Sequence, residues 1–139
     1  MPLMPKQTLL FYDEDPSMLE SAQRILLSTG ANCLFPKDME ELANMIGNAH
    51  LSLIILDFAS HRELISSKID LSEENVVILA KEKLKTIHTY MMQLPTFSNF
   101  IAKDADGQFL GRELLTTVKK LLSNDIFGVK KYLNWGASS

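Results

Sequence analysis

The charged residues of greatest chemical interest each close an apolar run. Asp13, Glu14 and Asp15 follow Thr8–Tyr12, Asp57 follows residues 51–56, and Lys103 follows residues 97–102. If those runs are strands of one parallel sheet, the charges meet at a single rim. Carboxylates held close together repel, which raises their pKa values or costs stability. A hard divalent cation relieves that repulsion, and Mg2+ suits a few carboxylates combined with waters and a phosphoryl oxygen. An aspartate carboxylate is also a competent nucleophile toward phosphorus and forms an aspartyl-phosphate. Metal and ammonium together would offset the charge that builds on the transferring group. The expected site therefore joins Asp13, Glu14 and Asp57 with Mg2+. Lys103 is expected to pair with Asp57 or with a phosphoryl group on it.

The elements that must position these groups are legible as alternating patterns. Asp15 can cap a helix with Pro16 at its first position. That helix carries Met18, Leu19, Ala22, Ile25 and Leu26 on one face, and Gly30 suits its stop. Residues 32–35 form a short second strand. Asp38-Met39-Glu40-Glu41 reads as a capping box that opens a helix with Leu42 and Ile46 inward. After the third run, residues 58–67 are a weak helix candidate. Residues 76–79 are a fourth strand, 82–92 a helix with Leu84, Ile87 and Met91 at helical spacing, and 97–102 a fifth strand. A last helix begins near Gln108, with Leu110, Leu114, Val118, Leu121 and Leu122 as its stripe.

Short, nearly unbroken apolar strands that alternate with helices imply a parallel sheet covered on both faces. The expected fold class is α/β: a flavodoxin-like (βα)5 doubly wound parallel sheet with strand order 2-1-3-4-5. In that order the chain reverses between strands 1 and 3, and ligands bind outside the carboxyl ends of strands at such a point.

Composition narrows the class. A chain of 139 residues is about one domain long. Its net charge of −3, with both signs interspersed, argues against a nucleic-acid module. No apolar stretch approaches the ~20 residues that span a bilayer, and the first twelve residues lack the shape of a secretory signal. Cys33 is the only cysteine, which fits a reducing compartment. The expectation is a cytoplasmic protein with no nucleic-acid or membrane partner.

The motifs Leu9-Leu10-Phe11-Tyr12-Asp13-Glu14-Asp15-Pro16, Leu53-Ile54-Ile55-Leu56-Asp57 and Phe100-Ile101-Ala102-Lys103 resemble the receiver domains of two-component response regulators. The resemblance covers roughly residues 8–123. It implies that Asp57 accepts phosphate from a histidine kinase or phosphotransfer protein. It further implies that Asp13 and Glu14 are the metal-binding acids and that the Ala59 backbone carbonyl is a third protein ligand to Mg2+. Lys103 matches the active-site lysine and Phe100 the aromatic switch residue.

The chain also departs from that pattern. Ala80 stands where the family places a Thr or Ser hydroxyl. Phe58-Ala59-Ser60-His61 replaces the usual Met-Pro and later Gly. Asp104 follows the lysine in place of proline, so a trans bond is expected there, a non-proline cis bond costing about 3 kcal/mol. These losses predict a weakened conformational switch more than lost phosphate acceptance.

Two other functions compete. One is an interaction module of receiver fold that is never phosphorylated. The other is a haloacid-dehalogenase-type phosphatase using Asp13 and Asp15, which leaves Asp57 unexplained. His61 and His88 read as solvated surface groups. Asp104-Ala105-Asp106-Gly107 reads as a polar turn rather than half a calcium loop. The receiver domain is expected over residues 1–124. Residues 125–139, with Ile126, Phe127, Tyr132 and Trp135, are expected to be an extension or connector that either packs on the domain or meets an output domain or a second copy.

Overall fold

A computed structural model describes residues 7–71, 74–81, 84–93, 99–103 and 111–124. Strands and helices alternate along them: β1 (Thr8–Tyr12), α1 (Ser17–Leu27), β2 (Asn32–Leu34), α2 (Met39–Asn48), β3 (Leu53–Asp57), α3 (Phe58–Ser66), β4 (Val76–Ala80), α4 (Leu84–Gln93), β5 (Asn99–Ala102) and α5 (Gly111–Asn124). Every strand pairing is parallel and the order is β2-β1-β3-β4-β5, the expected doubly wound arrangement.

The period-two alternation of strand side chains divides the core in two. Leu10, Ile54, Leu56, Val76, Ile78 and Ala80 pack with α2, α3 and α4 through Leu42, Ile46, Phe58, Leu64 and Ile87. Leu9, Phe11, Leu53, Ile55, Val77, Leu79 and Ile101 pack with α1 and α5 through Met18, Ala22, Leu26, Leu114, Val118 and Leu122. Burying one such side chain contributes about 1.5–3 kcal/mol, so β3 and β4, buried along their whole length, anchor the sheet. Close approach of α1 and α5 uses Gly111, where an added Cβ would lie 2.9 Å from Ile25 Cδ1.

The helix ends follow the local chemistry. Asp38 caps α2 by accepting the Glu41 N–H at 2.8 Å. Asp15 accepts the Ser17 N–H and hydroxyl just ahead of α1, but the N-cap position itself falls on Pro16, which has no side-chain cap, rather than on Asp15 as expected. Gly30 takes φ +83° just past α1. Lys68 adopts φ +63° after α3, where Ile69 N–H bonds back to the Leu64 carbonyl, the six-to-one bond of a Schellman stop.

Some details differ from the sequence reading. Strands β3 and β4 each run one residue further than expected, because Asp57 and Ala80 still hold ladder positions opposite Leu79 and Ala102. Leu19, expected inward, is 38% exposed, since Met18, Ala22 and Leu26 at four-residue spacing already fill the buried stripe. The clearest correction is His61. Its ring is fully buried in α3, not solvated, because Phe58, His61 and Leu64 recur at three-residue spacing and share the core-facing side. His88 is exposed on α4, as expected. The turn at 104–107 and the extension at 125–139 lie outside the described residues. Among the described residues no helix is long and apolar enough to cross a membrane.

Two outcomes test this packing. Replacing Asp38 by Ala removes the side-chain cap of α2 and should cost about 1 kcal/mol, while Asp38→Asn should be close to neutral; paired urea melts decide it. The second concerns pH. Burial lowers the His61 pKa from 6.5 to about 4 in the fold. The unfolded chain therefore takes up this proton first as pH falls. The contribution is whole above pH 6.5, is lost progressively from there down to about pH 4, and is constant below. A pKa separation of that size corresponds to about 3 kcal/mol. The difference in urea stability between the wild type and His61→Gln should change by that order across this window. A flat difference would mean that the imidazole titrates normally in the folded chain.

Candidate functional site at the carboxyl rim of the sheet

The site is built where the strands end. Asp13 is the residue after β1, Asp57 the last of β3, and Lys103 the residue after β5. The β4–β5 ladder continues past its last pair, with Lys103 N–H bonding to the Ala80 carbonyl at 2.7 Å. Asp13, Glu14, Asp57, Ala59 and Lys103 line one cavity of about 110 Å³, together with Asp15, Phe58, Leu79 and Lys81. The charged groups expected at a common rim are thus brought together, at the switch point between β1 and β3.

Their pairing differs from the expectation. The Lys103 ammonium is bound to the Asp13 carboxylate, with the two side chains 8% and 1% exposed. The other Asp13 oxygen accepts the Asp15 N–H at 2.9 Å. Burial raises the Asp13 pKa above the ordinary carboxylate range, against the opposing pull of Lys103 and the Asp15 N–H. Asp15 is held low, mainly by its hydrogen bonds from Ser17, with smaller attraction from Lys103 and Lys81. A carboxylate already engaged by the Ser17 N–H and hydroxyl is poorly placed as a phosphatase acid.

Asp57 is 5% exposed and uses both oxygens on backbone donors. Oδ1 accepts Glu14 N–H and Oδ2 accepts Ser60 N–H, each at 3.3 Å. The second contact makes Asp57 the cap of α3, which begins at Phe58. No Pro or Gly intervenes to delay the helix. Ala59 consequently sits in the first turn, where a carbonyl is directed along the axis toward the helix C-terminus. Contacts of 3.3 Å are long for N–H to carboxylate bonds and leave the oxygens only loosely held. Burial and the Asp57 charge together raise the pKa of neighbouring Tyr12.

The donors suit a hard divalent cation in chemistry, being carboxylates beside an open cavity. Their positions are less suited: among the described residues no three His, Cys, Asp or Glu side chains are gathered closely enough to share an ion. The Lys103 ammonium already compensates Asp13.

Ala80 and Phe100 do not line the cavity. Ala80 is buried and Phe100 half-buried on the α2–α3–α4 side of the sheet, where Phe100 stands opposite Ile78. Lys81 is the site residue that the sequence reading passed over. It belongs to no motif, yet it obeys the rule that found the others: a charged residue directly after a buried strand.

No family model matches the chain, and no curated protein matches it. Solved structures do. One is the N-terminal domain of a response regulator/sensory box/GGDEF three-domain protein from Carboxydothermus hydrogenoformans, at TM-score 0.65 and 16% identity, over 88% of this chain and 99% of that one. Another is the N-terminal domain of an uncharacterized protein from Wolinella succinogenes, at 0.64 and 14%, over 87% and 97%. A de novo designed Rossmann 2x3 fold protein matches at 0.62 and 17%, over 88% and 93%. A natural signalling domain and a designed scaffold match about equally well, so the likeness carries architecture and not activity. The chain has the five-stranded doubly wound fold found in the N-terminal domain of a response regulator.

Proposed function

We propose that this chain is a receiver-type signalling domain whose Asp57 accepts a phosphoryl group from a phosphohistidine of a kinase or phosphotransfer protein. The observation that supports this most is the placement of Asp57. It closes β3 at the switch point, faces an open cavity, and stands between the acids after β1 and the lysines after β4 and β5. In the transfer an Asp57 carboxylate oxygen attacks phosphorus. The phosphorus–nitrogen bond breaks, its electron pair stays on the imidazole, and that nitrogen takes a proton. The protein's part is to orient the carboxylate and to place ammonium groups near the developing charge.

Mg2+ belongs to this proposal as an ion that Asp13, Glu14 and Asp57 would hold only once drawn closer together, since as they stand their side chains are not gathered closely enough to share it; so held, it would offset the phosphoryl charge. Sharing Asp13 sets the cation in competition with Lys103. Stabilisation by millimolar Mg2+ should therefore be small in the wild type, should grow in Lys103→Met, and should vanish in Asp13→Asn. Thermal melts with and without the ion read all three.

A second reading is a receiver-fold interaction module without phosphorylation. It is favoured by the Asp57 oxygens being engaged with Glu14 and Ser60 N–H groups and by Lys103 being turned to Asp13. Intact-mass analysis after treatment with a small acyl phosphate separates the two. One phosphoryl adduct should form on the wild type and none on Asp57→Asn, which keeps a capping side chain. No adduct on the wild type would leave the interaction module as the function.

The switch should be weak. Ala80 offers no hydrogen bond to a phosphoryl oxygen, and such a bond to a charged acceptor contributes about 1.5–3 kcal/mol. Its absence moves an active-to-inactive ratio roughly tenfold to a hundredfold. Chemical-shift changes at Phe100 and Ile87 on adding a beryllium-fluoride phosphoryl mimic should be small in the wild type and larger in Ala80→Thr. A full response in the wild type would show that the methyl does not uncouple the switch.

A further inference from the structure

We infer that Lys81 is an anion-contacting residue of this site, pairing with a tetrahedral phosphoryl group on Asp57 in place of the hydroxyl missing at Ala80; the inference rests on Asp57 being a phosphoacceptor. Three observations converge on it. The first is its position: counting by twos, Val77 and Leu79 face the α1–α5 side of the sheet, and Lys81 is next in that series. Asp57 is paired with Leu79 in the β3–β4 ladder, so Lys81 extends one pleat beyond the neighbour of the nucleophile. Lys81 lines the same cavity as Asp57.

The second observation is what the other cation is doing. Lys103 is buried and bound to Asp13, so an anion arriving at Asp57 can draw on it only by weakening that pair. Lys81 is exposed and projects from the strand end, so it can swing in at little cost. Its charge is already felt among the rim acids, at Asp15, as a minor contribution behind the Ser17 hydrogen bonds.

The third is that β4, whose end adjoins Asp57 through the Leu79 pairing, closes on a residue with no side-chain donor. Ala80 is 2% exposed and aimed into the opposite core, so no donor comes from that side chain. An ammonium one residue later brings both donor and charge to the same strand end. It is a looser contact than a buried hydroxyl, because a lysine stem is flexible and its head solvated. It would hold the anion without dragging β4, which distinguishes anion retention from switching.

The test titrates the full chain with beryllium fluoride in the presence of Mg2+, followed by fluorine NMR. Lys81→Met should weaken binding about three- to tenfold, a charge-assisted contact discounted for exposure. Lys81→Arg should restore most of it. Lys85→Met, which removes a charge from the exposed face of α4, should leave affinity unchanged. Equal affinity of Lys81→Met and wild type overturns the inference while the phosphoacceptor reading stands. Equal losses in Lys81→Met and Lys85→Met overturn it in favour of a general field effect. No binding by the wild type overturns both the inference and the phosphoacceptor reading beneath it.

Discussion

The buried ion pair between Asp13 and Lys103 is the interaction on which the rim depends. It runs from the end of β1 to the end of β5, across the ends of β3 and β4. Removing two charges from water costs several kcal/mol per ion, and only good geometry with further hydrogen bonds repays it. The Asp15 N–H supplies one such bond to Asp13. Loss of either partner would strand a buried charge at a cost of about 3–5 kcal/mol. The pair therefore ties the interior strand β1 to the edge strand β5 and sets the electrostatics of the strand ends between them. Asp57 lies in that span. With Lys103 engaged elsewhere, its carboxylate is satisfied by the backbone of Glu14 and Ser60.

That substitution changes what Asp57 is attached to. As the cap of α3 it holds the first turn of a helix, and through Glu14 N–H it holds the β1–α1 connection. A group added to one carboxylate oxygen must displace one of these donors. The displaced donor still faces an anion, since phosphoryl oxygens accept from helix N-terminal N–H groups as readily as a carboxylate does. The cost of modification is then a local rearrangement rather than an unpaired buried group. The immediate start of α3, with no Pro or Gly after Asp57, is the sequence feature behind this arrangement.

How much of this was legible depended on whether the determining physics was local. Strand runs such as Leu53-Ile54-Ile55-Leu56 announce burial on both faces because every residue is apolar, and their alternation with helices implies the parallel order. Asp38 and Gly30 announce helix ends through bonds and dihedrals that involve near neighbours. His61 was misread because one polar residue was weighed alone, although Phe58 and Leu64 on either side carried the burial signal. The partner of Lys103 was not legible at all. Asp13 and Asp57 stand at adjacent strand ends, and the choice between them turns on side-chain placement and desolvation rather than on residue type. Lys81 was overlooked for a different reason: a single lysine after a strand has no spacing to match until the cavity gathers it with the others.

The two faces of the sheet divide the labour at this site. The core-side alternation sends Asp13, Asp57, Lys81 and Lys103 toward the α1–α5 series, while Ala80 and Phe100 belong to the α2–α3–α4 series. On the proposed reading, charge chemistry and conformational response lie on opposite sides of one sheet, joined through β4 and β5. Signal transfer between them needs a group that reaches from one side to the other at a strand end. A hydroxyl does this by hydrogen-bonding the anion while its Cβ stays in the core; the Ala80 methyl has only the second half of that reach. On that reading the rim would hold an anion while the Phe100 side received little of the resulting force. If Asp57 is a phosphoacceptor as proposed, a domain so built would store or relay the phosphoryl group more than amplify its arrival.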